Sequence, residues 1–124
     1  MKITTFNPQI ITKDAESAAR LFETLGFERR HTKRDIGDLG VTGIRMKDAN
    51  GFYVDISQSD RLPVDCINAI RMNVDDFDEA CRLLAGHGFK NFYGDRVVEN
   101  PTSRSAVMIA PSGFAVNLVQ HIRK

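Results

Sequence analysis

Apolar residues in the segment 14–25 recur at the spacing of an α-helix. They form one stripe, which consists of Ala18, Leu21, Phe22 and Leu25. Asp14 stands at the N-cap position, Glu16 lies in the first turn, where the helix dipole favours an acidic residue, and Gly26 follows the last apolar residue. The pattern predicts an amphipathic helix over 14–25 that buries this stripe.

A second helical pattern covers the segment 76–87. Its apolar stripe consists of Phe77, Ala80, Leu83 and Leu84. Asp76 and Glu79 have the spacing of a capping box, and Gly88 stands where a helix commonly ends in a left-handed residue. The sequence therefore predicts a second helix of the same length as the first.

Extended runs surround both helices in the same order. One short apolar segment precedes each helix, at 8–12 and 67–74. Three strand-like runs follow each helix: 27–34, 41–47 and 52–57 in the first half, and 89–98, 105–110 and 114–120 in the second. The pattern in each half therefore predicts a βαβββ unit, and the predicted fold class is α+β.

The two halves also share residue identities when the chain is shifted by 62 positions. The first copies of the coinciding residues are Asp14, Ala18, Arg20, Leu21, Gly26, Phe27, Arg34, Met46, Gly51, Phe52, Val54 and Gln58. An internal repeat of this length indicates two copies of one structural unit. We predict a single domain over 1–124, built from repeat units 1–58 and 67–120 that are joined by a linker at 59–66.

Alternate residues along the predicted strands differ in polarity. One parity is apolar and comprises Ile10, Val54, Ile56, Ile70, Met72, Val74, Phe114, Val116 and Leu118. The other parity is mainly polar and comprises Asn7, Gln9, Tyr53, Asp55, Ser57, Arg71, Asn73 and Asn117. Because alternate side chains point to opposite faces of a sheet, the helices should cover the apolar face. The polar face is either solvated or lines a cup.

Composition and charge narrow the function. The chain has 124 residues, of which 42% are hydrophobic and 27% charged, the balance of a globular protein. No apolar run is long enough to span a membrane and no signal peptide is recognisable, so we expect a cytoplasmic protein. The net charge is +1 with the signs interspersed, which argues against a nucleic-acid partner. Cys66 and Cys81 are expected to be buried thiols.

Three segments and the paired βαβββ units together resemble the vicinal oxygen chelate superfamily. The segments are IITKD at 10–14, LGF at 25–27 and APSGF at 110–114. This group includes glyoxalase I, ring-cleaving dioxygenases and bleomycin-resistance proteins, and the resemblance covers nearly the whole chain. It implies a curved mixed sheet that forms a cup, helices on the outer face, and a homodimer.

The resemblance also implies where a metal ion would bind. The ligand positions of metal-dependent members fall on Asn7, Asp55, Ala69 and Asn117. Only Asp55 is a normal ligand there, and a two-residue register slip would add only Gln9. The three histidines, His31, His87 and His121, occupy none of these positions and are interpreted as surface residues. We therefore expect neither a metal nor another cofactor.

The leading functional hypothesis is a metal-free protein that binds an unidentified small molecule and sequesters a drug or metabolite. Its cup would be lined by Asn7, Gln9, Tyr53, Asp55, Arg71, Asn73 and Asn117. Arg71 would pair either with Asp55 or with an anionic ligand. The missing metal ligands favour a binding protein over an enzyme. One alternative is an isomerase, lyase or dioxygenase of the same scaffold that uses Asp55 with Tyr53 or Arg71, and another is an interaction module with a vestigial cup.

Overall fold

The computed structural model describes residues 1–36, 41–59 and 64–122. These residues form two compact units, one over 7–68 and one that combines 1–6 with 69–124. The first strand, β1 (Ile3–Thr12), contributes its beginning to one unit and its end to the other. Within the described residues no helix is long and apolar enough to cross a membrane.

The unit 7–68 consists of one helix and a sheet with β1 at its edge. Its elements after β1 are α1 (Ala15–Thr24), β2 (Glu28–Ile36), β3 (Val41–Lys47) and β4 (Tyr53–Gln58). The strand order in this unit is β2-β3-β4-β1, with β1 and β4 parallel and the other pairs antiparallel. The sequence predicted α1, β2, β3 and β4 to within two residues at each end, whereas β1 begins five residues before the predicted segment 8–12.

The second unit has the same plan. Its elements are β5 (Cys66–Val74), whose first three residues belong to the unit 7–68, α2 (Phe77–Gly86), β6 (Lys90–Asn91), β7 (Val98–Asn100), β8 (Ser103–Ile109) and β9 (Ala115–His121). The strands run in the order β5-β9-β8-β6, and β7 also pairs with β8. As in the other unit, the strand before the helix is parallel to the last strand. The predicted α+β fold class is confirmed.

The strand registers confirm the internal repeat. In one unit Gln9 is opposite Asp55, and in the other Arg71 is opposite Asn117, so both partners are shifted by the same 62 positions. The antiparallel pairs Arg45 with Asp55 and Val107 with Asn117 keep the same shift. The predictions of a single domain and of a linker at 59–66 stay predictions, and residues 60–63 lie outside the described part of the chain.

Both helices begin with the same pair of caps. Asp14 accepts a hydrogen bond from the Ser17 amide at 3.1 Å. Asp76 accepts one from the Glu79 amide at the same distance, as the capping pattern predicted. The side-chain oxygens of Gln58 and Gln120 accept from the first amides of α1 and α2, at 3.0 and 2.8 Å. This second cap explains why glutamine recurs at the end of both repeats.

The helices bury faces that only partly match the predicted stripes. Ala15 and Ala19 of α1 are buried against β3 and β4, together with the half-buried Phe22. Leu21 and Leu25, which we expected inside, are 56% and 62% exposed. Ala15, Ala19 and Phe22 define the buried face of α1, and the two leucines lie outside it.

The buried face of α2 is rotated in a similar way. Phe77 and Ala80 are buried, and Cys81 and Leu84 pack against the same core cluster. Leu83, predicted to belong to the buried stripe, is 49% exposed. Cys66 is exposed and Cys81 is half-buried, so the expectation of two buried thiols is wrong for Cys66. Burial raises the pKa of the Cys81 thiol, and the nearby Asp78 raises it further.

The strand predicted over 89–98 is interrupted in the structure. β6 ends at Asn91, a turn follows, and β7 begins only at Val98. The Asn91 side chain accepts from the Tyr93 amide and donates to the Arg96 carbonyl, both at 2.9 Å. Gly94 has a φ of +74°. These local hydrogen bonds hold a turn where the sequence pattern favoured a continuous strand.

Gly88 is expected to be intolerant of alanine. Its φ is +88°, and an added Cβ would lie 2.8 Å from Cγ of Pro111. Gly88→Ala should therefore lower the free energy of unfolding by about 1–2 kcal/mol. Gly86→Ala is the matched control, because Gly86 is helical and an added Cβ would have nothing within 4 Å. That change should stabilise by about 0.5 kcal/mol. Urea denaturation measures both values, and equal effects would contradict the prediction.

Candidate functional site

The sheet of the unit 7–68 has a polar face on the side away from α1. Ile44, Met46, Val54 and Ile56 pack with α1, so the alternating residues of β3 and β4 point to the other side. Cross-strand register then places four polar residues in one row. This row, called the polar row below, consists of Gln9, Asp55, Arg45 and His31, one from each strand.

Asp55 is the most buried charged residue of this face, with 4% of its surface exposed. Its Oδ2 accepts a hydrogen bond from Asn7 Nδ2 at 2.7 Å and from Arg45 Nη1 at 3.1 Å. Its Oδ1 lies farther from the same Arg45 nitrogen, at 3.4 Å. A buried carboxylate is stable only with such donors and a counter-charge.

Arg45 is a residue of the candidate site that the sequence analysis missed. Its guanidinium lies 4.1 Å from the centre of the Tyr53 ring, and Lys47 Nζ lies 5.3 Å from the same ring. The Arg45 side chain is 25% exposed. Among the described residues its hydrogen bonds go to Asp55 through Nη1, so Nε and Nη2 have no protein acceptor there. Arg45 therefore presents unused donors beside a buried carboxylate.

Asn7 and Gln9 project from β1 onto the same face. Asn7 is 6% exposed, and its Nδ2 also donates to the Pro8 carbonyl at 2.9 Å. Its Oδ1 is buried with no hydrogen-bond partner in the described structure. Gln9 is 2% exposed and donates to Ser57 Oγ at 2.8 Å. The alternative of a solvated polar face is therefore wrong for these residues.

The other predicted site residues lie in the second unit. Arg71 donates through Nε to Asn73 Oδ1 at 3.0 Å and is opposite Asn117 in register. Asn73 and Asn117 are 8% and 9% exposed. The structure thus brings Asn7, Gln9, Tyr53 and Asp55 together in one unit, and Arg71, Asn73 and Asn117 in the other. A shared lining and an Asp55–Arg71 pair stay predictions.

The residues around Asp55 do not fit a divalent metal ion. The Asn7 amide donates to the carboxylate through nitrogen, and Arg45 places a positive charge on the same oxygen. A cation at this carboxylate would be repelled by the guanidinium at short range. Among the described residues no group of three or more His, Cys, Asp or Glu side chains could hold a metal. His31 is exposed at the end of the polar row.

Comparison with known proteins identifies the fold. No family model and no curated protein sequence matches the chain. Methylmalonyl-CoA epimerase from Mycobacterium tuberculosis is 17% identical over 98% of this chain and 90% of its own, with a TM-score of 0.65. A variant epimerase from Streptomyces coelicolor, in complex with 2-nitronate-propionyl-CoA, is 18% identical over 98% and 100%, with a TM-score of 0.66.

A third similar structure belongs to the wider group. It is a glyoxalase/bleomycin resistance protein/dioxygenase superfamily member from Vibrio splendidus 12B01, 14% identical over 94% of this chain and 97% of its own, with a TM-score of 0.59. Identities this low establish the architecture, whereas the chemistry must be argued from the site. The chain has the fold of the vicinal oxygen chelate superfamily, as its sequence motifs predicted.

Proposed function

We propose that this chain is an enzyme of the isomerase or lyase type that moves a proton on a small organic acid or acyl compound. The reaction centre would be the polar row, with Asp55 as the proton carrier. This proposal replaces the binding protein as the leading hypothesis and keeps it as the second candidate. The binding partner would be a small molecule rather than a nucleic acid or a membrane. The protein itself would be a cytoplasmic homodimer.

The observation that carries the proposal is the buried Asp55 carboxylate on the sheet face away from α1. Its neighbours Arg45 and Tyr53 are polar and partly accessible. Burying a charge is costly, and in proteins such carboxylates are concentrated at functional sites. Proteins of similar architecture are named as epimerases of methylmalonyl-CoA, an acyl thioester that bears a carboxylate. Their names support the reaction class proposed here.

The chemistry is a proton transfer at carbon. A carboxylate within hydrogen-bond reach of an acidic C–H bond can take the proton and return it to the same carbon or to a neighbouring one. Oδ1 of Asp55 is the oxygen with the longer contact to Arg45, at 3.4 Å. We assign proton transfer to this carboxylate, whose Oδ2 is bonded to Asn7 and Arg45.

Exchange of carbon-bound hydrogen for deuterium tests the proposal. The protein would be incubated in D₂O with methylmalonyl-CoA and with a set of 2-oxo and 2-hydroxy acids, and the C–H signals followed by NMR. We expect exchange in at least one compound, and Asp55→Asn should slow it about a hundredfold. Asp95→Asn, at an exposed turn position, is the control and should leave the rate unchanged.

The second candidate, a metal-free binding protein, is favoured by one specific contact. Two donors already hold Oδ2 of Asp55, and such contacts also stabilise a buried carboxylate that takes no part in a reaction. Under this alternative the same compounds would raise the melting temperature but show no deuterium exchange. Absence of exchange from every compound would reject the enzyme.

A further inference from the structure

The charged network around Asp55 has no counterpart in the other repeat. The equivalents of Asn7, Arg45, Tyr53 and Asp55, 62 positions later, are Ala69, Val107, Ala115 and Asn117. Val107 is opposite Asn117 in register, as Arg45 is opposite Asp55. A βαβββ unit of this protein therefore folds with uncharged residues at the same places. The scaffold does not require Arg45 or Asp55, so another role must explain the charges.

Arg45 is held in a fixed orientation with donors to spare. One nitrogen bonds to Asp55, the guanidinium lies over the Tyr53 ring, and Nε and Nη2 have no acceptor among the described residues. The contact with the ring and the hydrogen bond to the carboxylate restrict the Arg45 side chain. Less side-chain entropy is therefore lost when a ligand binds. A guanidinium in this state is suited to bind a carboxylate or an enolate oxygen through two donors.

Asn7 supplies a second observation. Its Oδ1 is a buried acceptor without a partner in the described structure, and an unsatisfied buried acceptor costs stability. Asn7 and Arg45 share Oδ2 of Asp55 as acceptor, so both lie within reach of one small molecule. A hydroxyl or N–H group of a ligand, or a water that it orders, would satisfy this oxygen.

We propose that the Arg45 guanidinium holds the anionic oxygen of the substrate through its two donors that have no acceptor among the described residues. The assignment rests on the proposed function for the reaction, although the anion site stands without it. The ligand class is a small carboxylate that carries a hydroxyl, carbonyl or amide donor or acceptor next to it. Binding and turnover would need no metal.

Charge is balanced at each step of this assignment. When the C–H bond breaks, the proton goes to Asp55 and the bonding electrons move to the neighbouring carbonyl oxygen, which becomes an enolate. Asp55 loses its negative charge as the enolate gains one, and Arg45 lies beside Asp55 throughout. Return of the proton to carbon reverses both changes. One guanidinium thus compensates the negative charge in either place.

Anion titrations test the assignment directly. Malonate, lactate and oxalate would be titrated into the protein in the presence of EDTA by calorimetry, with uncharged malonamide as the ligand control. We expect wild type to bind at least one anion and not malonamide. Arg45→Gln should weaken that binding about tenfold to a hundredfold, the value of a charge-assisted hydrogen bond. The anion affinity of Arg45→Lys should fall between those of wild type and Arg45→Gln, because lysine keeps the charge but lacks the planar guanidinium.

Arg29→Gln is the matched control. Arg29 lies on β2 of the same unit, and both of its Nη atoms donate to Glu16 or Glu23 of α1. Its loss should leave anion affinity unchanged.

Binding that disappears with EDTA, that survives Arg45→Gln, or that is absent for all three anions would overturn the assignment. Anion binding at Arg45 without deuterium exchange would reject the enzyme alone, and exchange that persists in Arg45→Gln would reject the anion site alone.

Discussion

Arg45→Val is expected to lower the free energy of unfolding by about 3 kcal/mol, and adding Asp55→Asn should recover about 2 kcal/mol of that loss. The single change leaves the Asp55 carboxylate, 4% exposed, without the guanidinium that compensates its charge. The double variant carries the pair that the other repeat has naturally, Val107 opposite Asn117. Neutral residues of this kind already pack in the same sheet position, so the second change removes the buried charge that Arg45 no longer balances.

A double-mutant cycle measured by urea denaturation gives the coupling between the two residues. Arg29→Val is the matched control, because Arg29 is about as exposed as Arg45, at 30% against 25%. Its partners Glu16 and Glu23 are 50% and 45% exposed, so that loss should stay below about 1 kcal/mol. The prediction fails if Arg45→Val lowers the free energy of unfolding no more than Arg29→Val. It also fails if the effects of the Asp55 and Arg45 changes on that free energy are additive.

Local chemistry made much of the fold predictable. The aspartate caps, the glycines that end the helices and most of the alternation along strands depend on residues close in sequence, and these features are found in the structure. The internal repeat was also recognisable from the sequence, because Gln58 and Gln120 are among the residues that coincide between the halves. The structure shows that these two glutamines cap equivalent helices. These features need no knowledge of which strands lie side by side.

The exposed leucines show what helical spacing leaves open. Spacing identifies a wide apolar stripe but not its centre, and alanines at 15 and 19 move that centre away from Leu21 and Leu25. Phe114 is a similar case, since strand parity placed it on the covered face and it is 51% exposed. Such outcomes depend on how closely a helix approaches the sheet, which is decided by packing across elements.

The candidate site was half predictable for a related reason. Parity selected Asn7, Gln9, Tyr53 and Asp55, which share one face. Arg45 alternates with Ile44 and Met46 in the same way, and this signal in β3 could have found it. What the sequence does not contain is the register that sets Arg45 opposite Asp55. Without that register Arg71 is the natural candidate for the carboxylate's partner.

Phe77→Ala is expected to lower the free energy of unfolding by about 3–5 kcal/mol. Phe77 is 2% exposed and belongs to the core cluster between α2 and its sheet. Its ring also lies 4.8 Å from the Arg104 guanidinium, which pairs with Asp78 and Glu99. Truncation therefore leaves a cavity and removes the surface on which Arg104 rests. The equivalent residue in the other repeat is Ala15, where α1 lies against β3 and β4 without a large side chain.

Phe114→Ala separates the loss of core packing from the loss of an aromatic ring. Phe114 is 51% exposed, and its ring contacts Phe89 edge to face at 5.5 Å, so its truncation should cost less than about 1 kcal/mol. Denaturation gives both values, and hydrogen exchange shows where protection is lost. Phe77→Ala should expose the amides of β8 and β9. Equal loss across 7–68 would mean that the two units unfold together, as one domain requires, whereas retained protection there would mean that each repeat is stable by itself.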